Sequence, residues 1–154
     1  MPYQLGARSL QELQGVHPAL VSVVQRAILI TTQDFTVYDG LRTLAEQEEN
    51  VRRGVSQTMN SKHLPQADGY GHAVDLVPII NGQPRWEWPP IFQIACVMAQ
   101  VSREARVRLR WGGCWDQPLD ALGTDPTAMQ AAVSAYCARH PGPDFIDGPH
   151  YELL

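Results

Sequence analysis

Ser61-Lys62-His63-Leu64-Pro65-Gln66-Ala67-Asp68-Gly69-Tyr70-Gly71-His72-Ala73-Val74-Asp75-Leu76-Val77 passes from a loop punctuated by proline and glycine into an apolar run of strand composition at Ala73–Val77. Towards the N-terminus, Leu10, Leu13, Leu20, Val24, Ala27 and Ile28 recur mostly at three- and four-residue steps between Ser9 and Ile30. This helical stripe is divided by Gly15 and Pro18 into a short helix and a longer one. Phe35-Thr36-Val37-Tyr38 reads as a strand, with Asp39-Gly40 as the turn after it. Thr43 with Glu46 is a capping box that opens a helix over 44–53, and Gly54 stops it. Towards the C-terminus, Ile91, Ile94, Ala95, Met98 and Val101 share a face of a helix from Pro90 to about Arg103. Val107–Trp111 alternates apolar and basic residues, as a half-exposed strand does. Asp125-Pro126 starts a helix that runs to about His140. Asp147-Gly148-Pro149 is a turn before a short strand at His150–Leu153. Helices interspersed with short strands, with tight turns in place of regular crossover helices, predict the α+β class: helices packed on a short, mainly antiparallel sheet.

The composition supports one domain over 1–154. Of the 154 residues, 44% are hydrophobic and 18% charged, enough apolar material for one sizeable core and no sign of disorder. The formal charge of −4, with basic residues dispersed outside Arg103–Arg110, argues against a phosphate-binding surface and so against nucleic acid as a partner. No apolar run approaches the ~20 residues that span a bilayer, and the first residues lack a basic segment followed by an apolar one. The expectation is a soluble protein made in the cytoplasm, with no stable membrane association. Three cysteines, Cys96, Cys114 and Cys137, are odd in number and widely spaced. They read as free thiols rather than as a disulfide framework or a four-cysteine zinc site.

Two of the five histidines stand with carboxylates in Gly/Pro-rich contexts: His63, leading to Gly71-His72-Ala73-Val74-Asp75, and His150, after Asp147-Gly148-Pro149. Catalytic zinc takes three protein ligands and leaves a position open, so two histidines and an aspartate suffice. Asp147, three residues before His150, is placed to handle protons without being a ligand. Spacing alone leaves other readings open. His17, beside Pro18 at a helix start, reads as structural, and His140, at a helix end, as a contact with the helix dipole. His72 competes with His63 as a ligand. In an extended segment, however, it shares a face with Val74 and not with Asp75, which favours His63.

At these residues the sequence resembles the zinc peptidases that include D-alanyl-D-alanine carboxypeptidases, D-Ala-D-Ala dipeptidases and the L-alanyl-D-glutamate endopeptidases used as bacteriophage endolysins. The shared pattern is S-x-H, then G-x-A-x-D, then a carboxylate shortly before a histidine; here it reads Ser61-Lys62-His63, Gly71-His72-Ala73-Val74-Asp75 and Asp147-Gly148-Pro149-His150. Leu13-Gln14-Gly15-Val16-His17-Pro18, Gly40-Leu41-Arg42-Thr43 with Gln47, Trp111-Gly112-Gly113 and Pro149-His150-Tyr151-Glu152-Leu153 are similar to the endolysin branch. The resemblance implies one Zn2+ per chain in a surface cleft, with His63, Asp75 and His150 as ligands and Asp147 as the general base. It further implies Arg42 as a substrate-gripping residue and Gln47 as a hydrogen-bond partner of the reacting carbonyl. Ser61, Trp111 and Trp115 join the substrate-binding candidates, although core burial is an equal alternative for the two tryptophans.

The implied substrate is the peptide stem of bacterial peptidoglycan, cut between L-alanine and D-glutamate by a monomer that reaches the wall after release, with help from a pore-forming holin-type protein. The alternatives are a D-alanyl-D-alanine carboxypeptidase or dipeptidase, and a catalytically idle wall-binding module. Two features depart from the family's pattern. Leu64–Tyr70 is a longer loop than usual between the first histidine and the glycine, and its Asp68-Gly69 pair suggests an inserted hairpin tip. Cys114 stands after Trp111-Gly112-Gly113 where the branch commonly has aspartate, and it reads as an inert thiol.

Overall fold

A computed structural model describes residues 2–56, 58–142 and 145–154 of the chain. In chain order the elements are α1 (Ala7–Glu12), α2 (Pro18–Ile30), β1 (Phe35–Asp39), α3 (Leu44–Arg52), β2 (Ala73–Ile80) and β3 (Gln83–Pro84). They continue with α4 (Trp88–Ala105), β4 (Leu109–Trp111), β5 (Cys114–Pro118), a 3-10 turn (Leu119–Ala121), α5 (Pro126–Arg139) and β6 (His150–Leu153). The sheet order is β1-β2-β6-β4-β5, with β3 paired to β2, and the strand pairings are antiparallel. The fold is therefore α+β.

Local chemistry places most of these boundaries where the sequence signals them. Gly15 takes a φ of +83° between α1 and α2, and Pro18 occupies the first turn of α2, where its missing N–H is not needed. The Thr43 hydroxyl accepts from the Glu46 N–H (3.1 Å) while the Glu46 carboxylate accepts from the Thr43 N–H (3.3 Å), the reciprocal capping box of α3. Asp125 accepts from the Ala128 N–H (2.8 Å) to cap α5. Helix α4 begins two residues before the expected Pro90, because Pro89 and Pro90 both fit a first turn whose N–H groups have no intrahelical acceptor. Strands β3 and β5 and the 3-10 turn lie in segments that carried no strand or helix expectation.

The core lies between the sheet and the helices. Helix α4 packs on β2 and β4, with α2 and α5 against it. Leu20 and Val24 of α2, Ile94 and Met98 of α4, Leu76 of β2, Leu109 and Trp111 of β4, and Tyr151 of β6 are all buried in one cluster. Each fully buried large apolar side chain contributes about 1.5–3 kcal/mol relative to leaving it in water. Alternation along the strands then turns a second set of residues to the opposite face. Asp75 lies between Val74 and Leu76, His150 and Glu152 flank Tyr151, and Arg110 lies between Leu109 and Trp111. The register sets Asp75 opposite His150 and Arg110 opposite Glu152, so one sheet face carries a row of ionisable groups. Among the described residues no helix is long and apolar enough to cross a membrane.

Candidate metal centre and active-site cleft

His63, Asp75 and His150 converge, each offering one ligand atom within 4.8 Å of the others. Asp75 and His150 meet because they are cross-strand partners; His63 is brought to them by its loop. The His63 carbonyl accepts from the Arg42 N–H (2.8 Å) and the Lys62 carbonyl from the His72 N–H (2.7 Å), which stitches the loop to both flanking segments. The Ser61 hydroxyl accepts from the His63 N–H at 3.1 Å. His63 Nδ1 lies 2.8 Å from the Gly40 carbonyl oxygen. That carbonyl is available because Gly40 packs tightly on the chain, where a Cβ would come within 1.9 Å of the Glu12 oxygen.

Both rings are oriented by an acceptor on one nitrogen, leaving the other for the centre. With His63 Nδ1 committed to Gly40, Nε2 faces Asp75 Oδ1 at 3.2 Å. On His150 the arrangement is reversed: Nε2 sits 2.8 Å from Glu152 Oε1, and Nδ1 lies 3.3 Å from Asp75 Oδ1. Glu152 is buried and pairs with Arg110 at 3.5 Å. A carboxylate behind a ligating imidazole is the support that metal-binding histidines ordinarily have. Burial opposes ionisation of Asp75, but the charge and hydrogen bonds of His63 and His150 outweigh it and hold its carboxyl below the usual carboxylate range. Burial likewise disfavours a charge on His150, yet its hydrogen bonds to Asp75 and Glu152 raise it to about 10. Two imidazole nitrogens and a carboxylate, pre-oriented and surrounded by further carboxylates, fit a divalent ion that accepts nitrogen and oxygen donors.

Asp147 shares the cavity without belonging to the ligand cluster. Its backbone is gripped on both sides: its N–H donates to the Gly112 carbonyl (2.8 Å), and its own carbonyl accepts from the His150 N–H (3.1 Å). A side chain at position 112 would place Cβ 2.1 Å from the Asp147 oxygen, so only glycine admits this approach. Burial, with the nearby Asp75 charge adding to it, lifts the Asp147 carboxyl to about 6. That is the range in which a carboxylate accepts and returns protons near neutrality.

The cavity has a volume of about 830 Å³. Arg42, Ser61 and Trp115 line it together with the three clustered residues and Asp147, as do Tyr38 and Trp86. Arg42 is held by Asp39, which accepts from Nε (2.9 Å) and from Nη2, and by the Gln47 amide oxygen (2.5 Å from Nη1); it stands 3.7 Å from Asp75. The Trp115 ring centroid is 5.3 Å from that of His150, and its indole N–H donates to the Phe145 carbonyl at 2.7 Å.

Two expected site residues lie elsewhere. Trp111 does not wall the cleft: it is fully buried on the core face of β4, and its indole N–H donates to the Gly148 carbonyl (2.6 Å), bracing from below the turn that carries Asp147 and His150. Gln47, also fully buried, faces inward from α3, and its amide engages Arg42, Ser56 (2.8 Å) and the Thr58 carbonyl (2.5 Å) rather than the cavity.

The competing histidines have other partners. His17 caps α2, accepting from the Ala19 N–H at 3.0 Å. His72 is 2.8 Å from Asp68. Asp68 stands at the tip of the longer loop, where Gly69 has a φ of +83° and donates to the Gln66 carbonyl at 2.8 Å. The Leu64–Tyr70 segment thus folds onto His17 and His72, and none of it lines the cavity. His140, expected to serve the helix dipole, instead bonds Asp116 (3.1 Å) and stacks on Tyr136. Cys114 is buried beside Asp116 and Arg139, outside the cluster, and burial pushes its thiol up to about 11. The functional residue that sequence reading passed over is Glu152. Its signal is the i, i+2 spacing from His150, which puts both on one face of a strand.

The phage L-alanyl-D-glutamate peptidase family matches residues 1–127, a span that takes in His63 and Asp75 and ends before Asp147 and His150. The chain is 31% identical over 120 residues to the L-alanyl-D-glutamate peptidase of Escherichia phage T5, covering 75% of this chain and 84% of that one. Its fold matches the crystal structure of the Serratia marcescens L-Ala D-Glu endopeptidase ChiX with a TM-score of 0.70 and 36% identity, over 96% of this chain and 87% of that one.

Proposed function

The chain belongs to the phage L-alanyl-D-glutamate peptidase family and is a peptidase of the bacterial cell wall; from that premise we propose a zinc endolysin in which His63, Asp75 and His150 hold the metal and Asp147 is the general base. The observation that carries this reading is the convergence of the three donor residues in one cavity with a separate carboxylate whose affinity for protons is raised. A zinc ion held there supplies Lewis acidity, polarising a carbonyl and making water a stronger acid at neutral pH. The chain's own residues do the rest. Asp147 accepts a proton from the attacking water and returns it to the leaving amine. Arg42, fixed by Asp39 and Gln47, presents its remaining N–H groups to a carboxylate of the stem, such as that of D-glutamate. Gln47 acts through Arg42 as a positioning residue. Ser61 fixes the His63 loop, and Trp115 packs beside His150 as a wall of the substrate cleft. We further propose that the protein works as a monomer, is made in the host cytoplasm, and reaches the wall through a pore-forming partner.

Digestion of purified peptidoglycan, with mass analysis of the products, tests the reaction. New amino-terminal D-glutamate on released stems is the expected result. Release of free D-alanine in its place would establish a carboxypeptidase, and wall that is bound but uncut would leave a binding module.

A further inference from the structure

Of the four tryptophans, only Trp86 is exposed, at 54%, so folding gains little from its large apolar surface. Yet the chain holds it firmly. Asn81 and Gly82 both take positive φ, 54° and 74°, the geometry of a two-residue hairpin turn. They fold β3 back on β2, with Ile80 opposite Gln83 and Ile79 opposite Pro84. The Arg85 N–H donates to the Pro78 carbonyl (2.9 Å), and the Arg85 side chain pairs with Glu87 (2.6 Å), so both neighbours of Trp86 are tied down. The indole meets Tyr38 edge to face at a centroid distance of 5.3 Å, and Tyr38 is steadied in turn by the Arg8 guanidinium, 5.5 Å from its ring centre. Tyr38 and Trp86 line the same cavity as His63, Asp75 and Asp147.

We infer that Trp86, braced by Tyr38, is a stacking platform for an amino-sugar ring of the glycan strand. This rests on the reading of the cleaved bond as L-alanyl-D-glutamate. L-alanine is the first residue of the stem, so a single residue separates that bond from the sugar that bears it. Whatever holds the bond beside Asp147 must therefore accommodate a sugar about two residue lengths away, one for L-alanine and one for the lactyl ether that carries it, roughly 7 Å when extended. A pyranose ring presents a face of C–H groups, which an aromatic face receives through dispersion and weak C–H···π contacts. The charged side chains on either side of Trp86 are paired with each other, which suits an uncharged ring. At about 830 Å³, the cavity exceeds what an alanyl-glutamyl unit fills.

The test compares two substrates: a disaccharide-linked stem and the same stem without sugar. In Trp86→Ala the ratio of kcat/KM on the first to that on the second is expected to fall at least tenfold, chiefly through KM, and Trp86→Phe is expected to recover most of it. A ratio that stays at the parent value overturns the inference, whether both rates drop together, as they would if the indole touched the peptide, or neither does. A parent protein that cuts neither substrate between L-alanine and D-glutamate overturns the proposed function instead.

Discussion

Asp147→Asn should make the metal-free protein more stable and the enzyme nearly inactive, because it removes at once a buried charge and the group that accepts the proton. The Asp147 carboxyl is lifted from its ordinary 3.8 to about 6. At about 1.4 kcal/mol per tenfold change in acidity, ionising it in the folded protein costs up to about 3 kcal/mol more than ionising it in the unfolded chain. Between about pH 4 and pH 6 the folded form binds more protons than the unfolded form. This contribution to stability is therefore intact below pH 4, declines through that window and is gone above about pH 6. Asparagine has nearly the same shape and no charge at any pH, so it escapes the penalty. The metal-free variant is expected to exceed its parent by up to about 3 kcal/mol at pH 7.5, roughly 6–12 °C in Tm for a chain of this size, and to match it near pH 4. Meanwhile the loss of the proton acceptor should lower wall hydrolysis by the zinc-loaded protein about 100-fold or more. Thermal melts at the two pH values, beside digestion of peptidoglycan and metal analysis, check both halves. A variant that digests wall as fast as its parent refutes the general-base role. Equal melting temperatures at pH 7.5 refute the argument from burial.

Glu152→Ala removes the acceptor that orients His150 and is expected to weaken zinc affinity about 10–100-fold, measured by competition with a chelator; unchanged affinity would reduce Glu152 to a partner of Arg110. Gln47→Ala leaves the buried Arg42 guanidinium short of an acceptor and should cost about 1–3 kcal/mol in denaturant melts, with an added rise in KM because Arg42 loses its support. Stripping zinc should abolish hydrolysis and lower Tm, by the coupling of binding to folding, and His63→Ala should lose the metal outright. A His63→Ala variant that keeps full zinc occupancy would return the ligand role to His72. Cys114→Ser, outside the cluster, should leave zinc content and rate close to those of the parent.

The strands that carry Asp75 and His150, the helix caps and the helix breaks were legible because each is written in a few consecutive residues. Thr43 with Glu46, Asp125-Pro126 and Gly15 all act within one turn of the chain. The ligand set was legible through motif resemblance, while its cause, the pairing of Asp75 with His150 across two strands, depends on a register that no local pattern states. The inward course of Gln47 escaped, and the burial of Trp111 stood as one of two readings, for the same reason: which face of an element meets the core is set by neighbours distant in sequence. The Asn81-Gly82 hairpin was different. An Asn-Gly pair is among the strongest short-range turn signals, and here it marks the β2–β3 hairpin from two residues alone.

Strand β6 enters the sheet between β2 and β4, so residues 150–153 join two parts of the sheet that were made much earlier in the chain. Pairings over such sequence separations are slow to form, because the intervening chain must be closed before any contact repays it. Strands β2 and β3, and β4 and β5, can associate through short turns, but β6 must find β2 across the longest sequence separation in the sheet, and that pairing is what delivers His150 and Glu152 to Asp75. Peptidase competence is thus a late event in the life of each molecule. Incomplete or half-folded chains carry no finished catalytic centre, and the appearance of hydrolysis during refolding should lag behind the recovery of helix signal.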